Sequence, residues 1–265
     1  MSVHRTTLAA TAGVVAIATL GGCFPSNPLT EHRVEFRDTE QTTITEIRLS
    51  PGAGDLTVRT APDQKDVGIN RMVRYHSGGS DKATYRIEDG VLYVDTDCGQ
   101  RCSVSYDILA PQGVTVRGEN GSGNVTLTEV AAVDMTVGSG EVTVSGATGT
   151  VRVETGSGNI DLSSVSGEVT AHAGSGDVEG RELGGGRQVR VETGSGSIDL
   201  SLASPGSVQA RASSGEVELS VPAGSYQVRT STSSGTVHSD VPNDPAATAV
   251  LDASTGSGGI TIRQR

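Results

Sequence analysis

A six-residue stretch, Thr155-Gly156-Ser157-Gly158-Asn159-Ile160, returns in variant form along the C-terminal half of the chain. Gly-Ser-Gly begins at Gly121, Gly138, Gly156, Gly174, Gly194 and Gly256, and Ser-Ser-Gly at Ser213 and Ser233. The glycines in the third position are Gly123, Gly140, Gly158, Gly176, Gly196, Gly215, Gly235 and Gly258, spaced 17, 18, 18, 20, 19, 20 and 23 residues apart. A period of this size marks a solenoid, because one coil cannot bury an apolar face alone and has to stack on its neighbours.

The residues around the glycines align in columns. Before the turn, Val133, Val151, Val169, Val189, Val208, Val228 and Leu251 start a period-two alternation that ends at Val137, Thr155, Ala173, Thr193, Ala212, Thr232 and Thr255. After it come Val125, Val142, Ile160, Val178, Ile198, Val217, Val237 and Ile260, then Leu127, Val144, Leu162, Gly180, Leu200, Leu219, Ser239 and Ile262. Alternation of this kind places these columns on the inward face of short strands. The predicted fold is all-β, a single-domain solenoid with two strands per coil of about 17–20 residues. Eight or nine coils about 4.8 Å apart make a rod roughly 40 Å long.

The two corners of each coil obey different rules. Five residues always separate the last inward position before the glycines from the first after them, as from Thr155 to Ile160. A third-position glycine supplies the positive φ that so sharp a turn asks for, and the middle serines stack coil on coil. The other corner varies from 6 residues (Leu127 to Val133) to 12 (Ser239 to Leu251), and it holds Gly184-Gly185-Gly186, Pro205, Pro222, Pro242 and Pro245. Insertions are tolerated there, so binding loops belong on that edge.

Upstream, Pro51-Gly52-Ala53-Gly54-Asp55-Leu56 is a degenerate copy of the repeat, and residues 44–110 read as a first coil and an irregular β-rich cap. Strands are expected over 67–75, 83–87, 91–94 and 104–109. Six of the seven aromatics precede residue 111, so the regular solenoid over 111–265 has a thin aliphatic core.

The N-terminus places Arg5 before an apolar run from Leu8 to Leu20, thirteen residues and too short to span a bilayer. Residues 1–22 therefore read as an export signal. Leu20-Gly21-Gly22-Cys23 resembles the lipobox of bacterial lipoproteins, which implies cleavage before Cys23 and acylation of its thiol. Residues 23–43 then form a tether from membrane to fold, and the expected location is the cell surface. Of the other cysteines, Cys98 and Cys102 are an even pair in an oxidising compartment and read as a disulfide-closed loop. The competing zinc site would need further ligands, and no histidine stands at metal-ligand spacing.

Several chemistries are excluded. The net charge of -11 argues against nucleic acid as a partner. A strand follows every glycine turn where a phosphate loop needs a helix and a lysine. A calcium roll needs an Asp in every turn, but the residues after the glycines include Ser197, Thr236 and Gly259. His172 and His238 fall on outward positions of different strands and read as surface histidines rather than as a triad. No catalytic residue, metal or cofactor is expected. One positive signal is an acidic outer face at Asp177, Glu179, Asp199, Glu216 and Glu218, also joined by Glu141 and Asp161. It suits weak divalent-cation binding or a basic partner, against the alternative of a solvated face that keeps the sheet from pairing. The other sheet should be mixed, with Arg152, Arg190, Arg211 and Arg229 beside Glu154 and Glu192.

Over roughly residues 44–265 the repeat resembles the bacterial putative-adhesin or toast-rack family of β-strand-repeat domains, whose members are often exported lipoproteins. The resemblance implies a β-solenoid and an envelope role, and it transfers no catalytic residue. The expected function is a non-enzymatic envelope lipoprotein that binds or scaffolds an envelope protein or glycan. The rivals are an envelope-stress sensing accessory and a carbohydrate-active β-helix enzyme.

Overall fold

Alternating β-branched and polar residues make strands throughout the chain, and glycine-rich corners end them. A computed structural model describes residues 31–76, 84–184 and 186–265. The export signal, Cys23 and the first part of the tether lie outside the described residues.

The chain opens with β1 (His32–Glu40), β2 (Glu46–Ser50), β3 (Leu56–Ala61), β4 (Val67–Tyr75), β5 (Tyr85–Glu88), β6 (Val91–Asp95) and β7 (Cys102–Pro111). The regular region follows with β8 (Thr115–Ser122), β9 (Val125–Thr128), β10 (Ala132–Ser139), β11 (Val142–Ser145), β12 (Val151–Ser157), β13 (Ile160–Ser163), β14 (Val169–Ser175) and β15 (Val178–Leu183). It ends with β16 (Val189–Ser195), β17 (Ile198–Leu202), β18 (Val208–Ser214), β19 (Val217–Val221), β20 (Tyr226–Ser234), β21 (Val237–Ser239), β22 (Ala249–Ser257) and β23 (Ile260–Gln264).

Two sheets result. The sheet after the glycine corner has twelve strands in the order β1-β4-β7-β3-β9-β11-β13-β15-β17-β19-β23-β21. The sheet before it has eleven, in the order β20-β22-β18-β16-β14-β12-β10-β8-β2-β6-β5. Setting aside β1 and β4 in one and β5 in the other leaves ten coils, each with one strand in each sheet. Coil stacks on coil in parallel register, so Val151, Val153 and Thr155 face Val169, Ala171 and Ala173, and Val142 faces Ile160. The fold is thus the expected all-β solenoid.

The coils do not stack in chain order at either end. The coil β2–β3 lies directly against β8–β9, and β6–β7 passes to its outside. At the far end β22–β23 inserts beside β18–β19 and carries β20–β21 on its outer side. The region expected to be an irregular cap therefore contains a full stacked coil. Among the described strands β1, β4 and β5 break the parallel pattern, through the antiparallel pairs β1·β4, β4·β7 and β5·β6. A tether was expected to run to residue 43, but from His32 the chain is paired as β1 along all of β4. Phe36 and Asp38 on that strand turn toward the core, which explains why this segment is held.

One core fills the space between the sheets. The inward columns are buried from Val125 to Ile262 in seven coils, and the inward residues of β2–β3 and β6–β7 are buried as well. The exception is β20–β21, where Val228 is half-buried, Thr230 and Ser239 are exposed, and Val237 is 45% exposed. Being outermost, this coil is covered on one side only. Gly180 is the other departure from the columns. A bulge after it, with Glu182 at φ 54°, turns Leu183 inward into the space that Gly180 leaves.

Candidate functional site

The constant corner is built by glycine and backbone. Gly158 has φ 146°, and a Cβ there would be driven into the carbonyl oxygen of Gly140 in the preceding coil. The third glycine therefore meets two demands: a left-handed backbone and contact with the coil beneath. Gly140 N–H donates to the Ser157 carbonyl at 2.9 Å, and Gly158 N–H to that of Ser175 at 2.9 Å. The serine side chains lie in register, exposed along the outside of the corner. Inside it, the buried threonines Thr193 and Thr255 donate their hydroxyls at 2.9 Å to the carbonyls of Gly176 and Gly215. That bond lets a polar residue occupy an inward column without leaving a buried group unpaired.

The residue after the glycines caps the next coil. Asp55 Oδ1 accepts the Asn124 N–H at 2.9 Å, and Asn124 Oδ1 accepts that of Glu141 at 3.0 Å. Further along, Asn159 Oδ1 accepts from Asp177 N–H at 3.0 Å, Asp177 Oδ1 from Ser197 at 2.7 Å, and Ser197 Oγ from Glu216 at 3.4 Å. Asp177, expected on a free acidic face, is thus engaged in holding coils together.

Four of the other acids form a single row, while Glu141 and Glu216 stand with Asp177 in the position directly after the glycines. Asp161, Glu179, Asp199 and Glu218 occupy the same position of four consecutive coils, each facing the next. Two of them have partners one alternation further along their sheet, Glu179 with Arg181 and Glu218 with Arg263. All four of these paired side chains are at least 40% exposed, so the pairs add little stability. Asp161 and Asp199 make no ion pair among the described residues. The sheet is acidic as expected, though less so than its outward columns imply.

The opposite sheet carries mixed charge. Arg190, Glu192, Arg211 and Asp252 form a chain with contacts of 3.8, 3.8 and 3.4 Å. Its last link exists only because β22 inserts beside β18. His172, Glu192, Arg211, Ser213, Ser231 and Ser254 line an open groove of about 420 Å³ whose floor is the first-glycine column.

At the β1/β5 end a polar cluster closes the core. Arg71 is only 12% exposed, pairs with Asp38 at 3.2 Å, and donates to Thr84 Oγ1 at 3.0 Å. Its guanidinium lies over the rings of Phe36 and Tyr85 at 4.7 and 5.1 Å. Tyr85 OH donates to Glu40 at 2.8 Å; burial first, and that carboxylate next, push its pKa well above the usual tyrosine value. Tyr106, whose hydroxyl bonds the carbonyls of Thr84 and Asp95, is pushed up to about 12 by burial. In the outermost coil here, the glycine corner is replaced by a longer loop in which Cys98 and Cys102 form a disulfide with Cα atoms 5.3 Å apart.

The Toastrack DUF4097 family model matches residues 40–263, nearly the whole described chain. The chain belongs to the Toastrack DUF4097 family. Similar solved structures include a putative adhesin from Bacteroides fragilis, 13% identical, covering 89% of this chain and 98% of that one with a TM-score of 0.47. Another is a putative cell adhesion protein from Clostridium sporogenes, 11% identical, covering 89% and 99% with a TM-score of 0.32. A search among curated proteins returns no match.

His172 and His238 are both exposed, on different sheets, and His238 faces only Asp240 at 3.0 Å. Among the described residues no three His, Cys, Asp or Glu side chains are grouped to hold a metal ion. The acid row offers one carboxylate in each of four consecutive coils, and its partners are the arginines Arg181 and Arg263. Sequence reasoning missed Arg71, whose inward position on β4 follows from its alternation with Ile69 and Val73. It also missed the capping role of Asn159 and Asp177, for which short amide and carboxylate side chains after a tight turn were the available signal.

Proposed function

We propose that this Toastrack chain is an exported, lipid-anchored protein of the cell envelope whose solenoid is a binding or scaffold module without enzymatic activity. The Leu20-Gly21-Gly22-Cys23 sequence supports the anchor, with Cys23 as the acylated residue. The observation that carries the binding role is the row Asp161, Glu179, Asp199 and Glu218, held in register on a rigid sheet. A carboxylate every ~4.8 Å along one strand face suits an extended partner. The charge favours a basic segment of an envelope protein, with an envelope glycan as the second class.

Crosslinking on intact cells, comparing wild type with a double variant Asp161→Asn and Asp199→Asn, tests this reading. The wild type is expected to capture a partner through Lys- or Arg-rich peptides, with yield falling as salt rises. The variant is expected to lose that capture while keeping its fold. Equal capture by both proteins would move the site off this row, and turnover of a glycan by the purified chain would overturn the non-enzymatic role.

A further inference from the structure

The order of the coils finishes the two ends of the rod differently. At one end the outermost strands are charged, with Arg33, Glu35, Arg37, Asp38 and Glu40 on β1 and Arg86 and Glu88 on β5. Charges of this kind are a common way to keep a sheet edge from pairing. At the other end the outermost coil carries Arg229 on β20 and contains no further Asp, Glu, Lys or Arg from Thr230 to Ser239, with Asp240 directly after it. The same coil exposes its inward positions Thr230, Val237 and Ser239. A loop covers only the beginning of β20, where Asn243 bridges to Tyr226 and its Oδ1 accepts the Val228 N–H at 2.9 Å. Beyond Val228 the outer edges of β20 and β21 have no strand partner among the described residues.

We propose that two copies of this chain associate through these ends, each continuing the other's two sheets across a two-fold axis. The occupant has to offer two strand edges at once, one for each sheet, about 10 Å apart. A single extended peptide satisfies one edge and leaves Val237 exposed. The same end of a second copy presents both edges at the right separation. Charge points the same way: copies at -11 repel one another, and this end adds no net charge, Arg229 on β20 being offset by Asp240 just past β21. A two-fold axis sets β20 antiparallel to its counterpart, where facing Thr and Ser side chains can bond across the strands. It also closes the assembly at two.

The contact is small. The free edge of β20, from Arg229 to Ser234, spans about 20 Å, and a two-sheet end of that length buries about 600 Å² over both copies, well below the size of a standard stable interface. The dimer is therefore reversible and dissociates on dilution.

Sedimentation velocity of the full chain in detergent, with bound detergent mass counted separately, tests the proposal. The protein mass is expected to rise with concentration from one chain to two and stop there. A double variant, Ser233→Lys and Val237→Lys, replaces two exposed residues and should keep the wild-type melting temperature. Its half-association concentration should rise about tenfold or more through like-charge repulsion. Glu88→Lys at the opposite end should leave association unchanged. A wild-type chain that stays monomeric at every concentration overturns the proposal. So does growth past two copies, or a double variant that dimerises as the wild type does.

Discussion

At Gly158 the backbone demand and the packing demand fall on one atom. Any Cβ there meets the Gly140 carbonyl, and φ 146° is a conformation that L side chains rarely adopt. Gly158→Val is expected to cost more than about 4 kcal/mol, whereas Ser157→Ala, which removes an exposed hydroxyl, should stay within about 0.5 kcal/mol. Urea unfolding of both variants checks this, and equal effects would falsify the corner geometry. The positive φ was legible because five residues must reverse the chain at every corner. The carbonyl contact was not, since it depends on how closely the next coil approaches. Tyr106 shows the same limit from another side: alternation with Val104 and Ile108 turns it inward, but the carbonyls it meets come from distant segments, Thr84 just before β5 and Asp95 on β6. Its pKa of about 12, above the ordinary 10.0, means the folded chain keeps a proton that the unfolded chain releases. That stabilisation is complete below about pH 10 and is lost as pH rises toward 12. Urea midpoints measured from pH 8 to 11 should fall with pH in the wild type, and fall less steeply in Tyr106→Phe.

Among the elements, the repeat declared that coils stack but not which coils touch. The information lay in departures from the columns: Thr230 and Ser239 are polar where other coils carry aliphatic residues, because β20–β21 is outermost. Gly180 was a similar departure, answered by Leu183 through a bulge that a fixed period could not show. Stacking order has a direct thermodynamic consequence. A chain ending after Ser239 lacks β22 and β23, which are the strand neighbours of β20 and β21. Residues 226–239 should then become sensitive to protease. Sequential stacking predicts that this truncation is more stable than one ending after Val221, by the energy of a whole coil. The observed order predicts that the two unfold within about 0.5 kcal/mol of each other, as measured in urea.

For the whole molecule, the placement of the two ends joins the proposed anchor to the proposed dimer. The tether from Cys23 enters the fold at β1, on the charged end that also carries the Cys98–Cys102 loop. The β20–β21 end lies at the opposite pole, ten coils or about 45 Å away. Two rods joined at their β20–β21 ends hold their anchors about 90 Å apart and facing away from one another. Such a pair suits two opposed membranes better than one shared membrane, and many weak contacts between surfaces gain strength through multivalency. Vesicles carrying the lipidated chain at rising density are therefore expected to cluster, with turbidity as the readout. Clustering should be absent with Ser233→Lys and Val237→Lys on the vesicles. It should also be absent with Cys23→Ser, which is expected to stay in the soluble fraction. Vesicles that remain dispersed under conditions where the chain dimerises in solution would place both anchors in one membrane, with the rods lying along it.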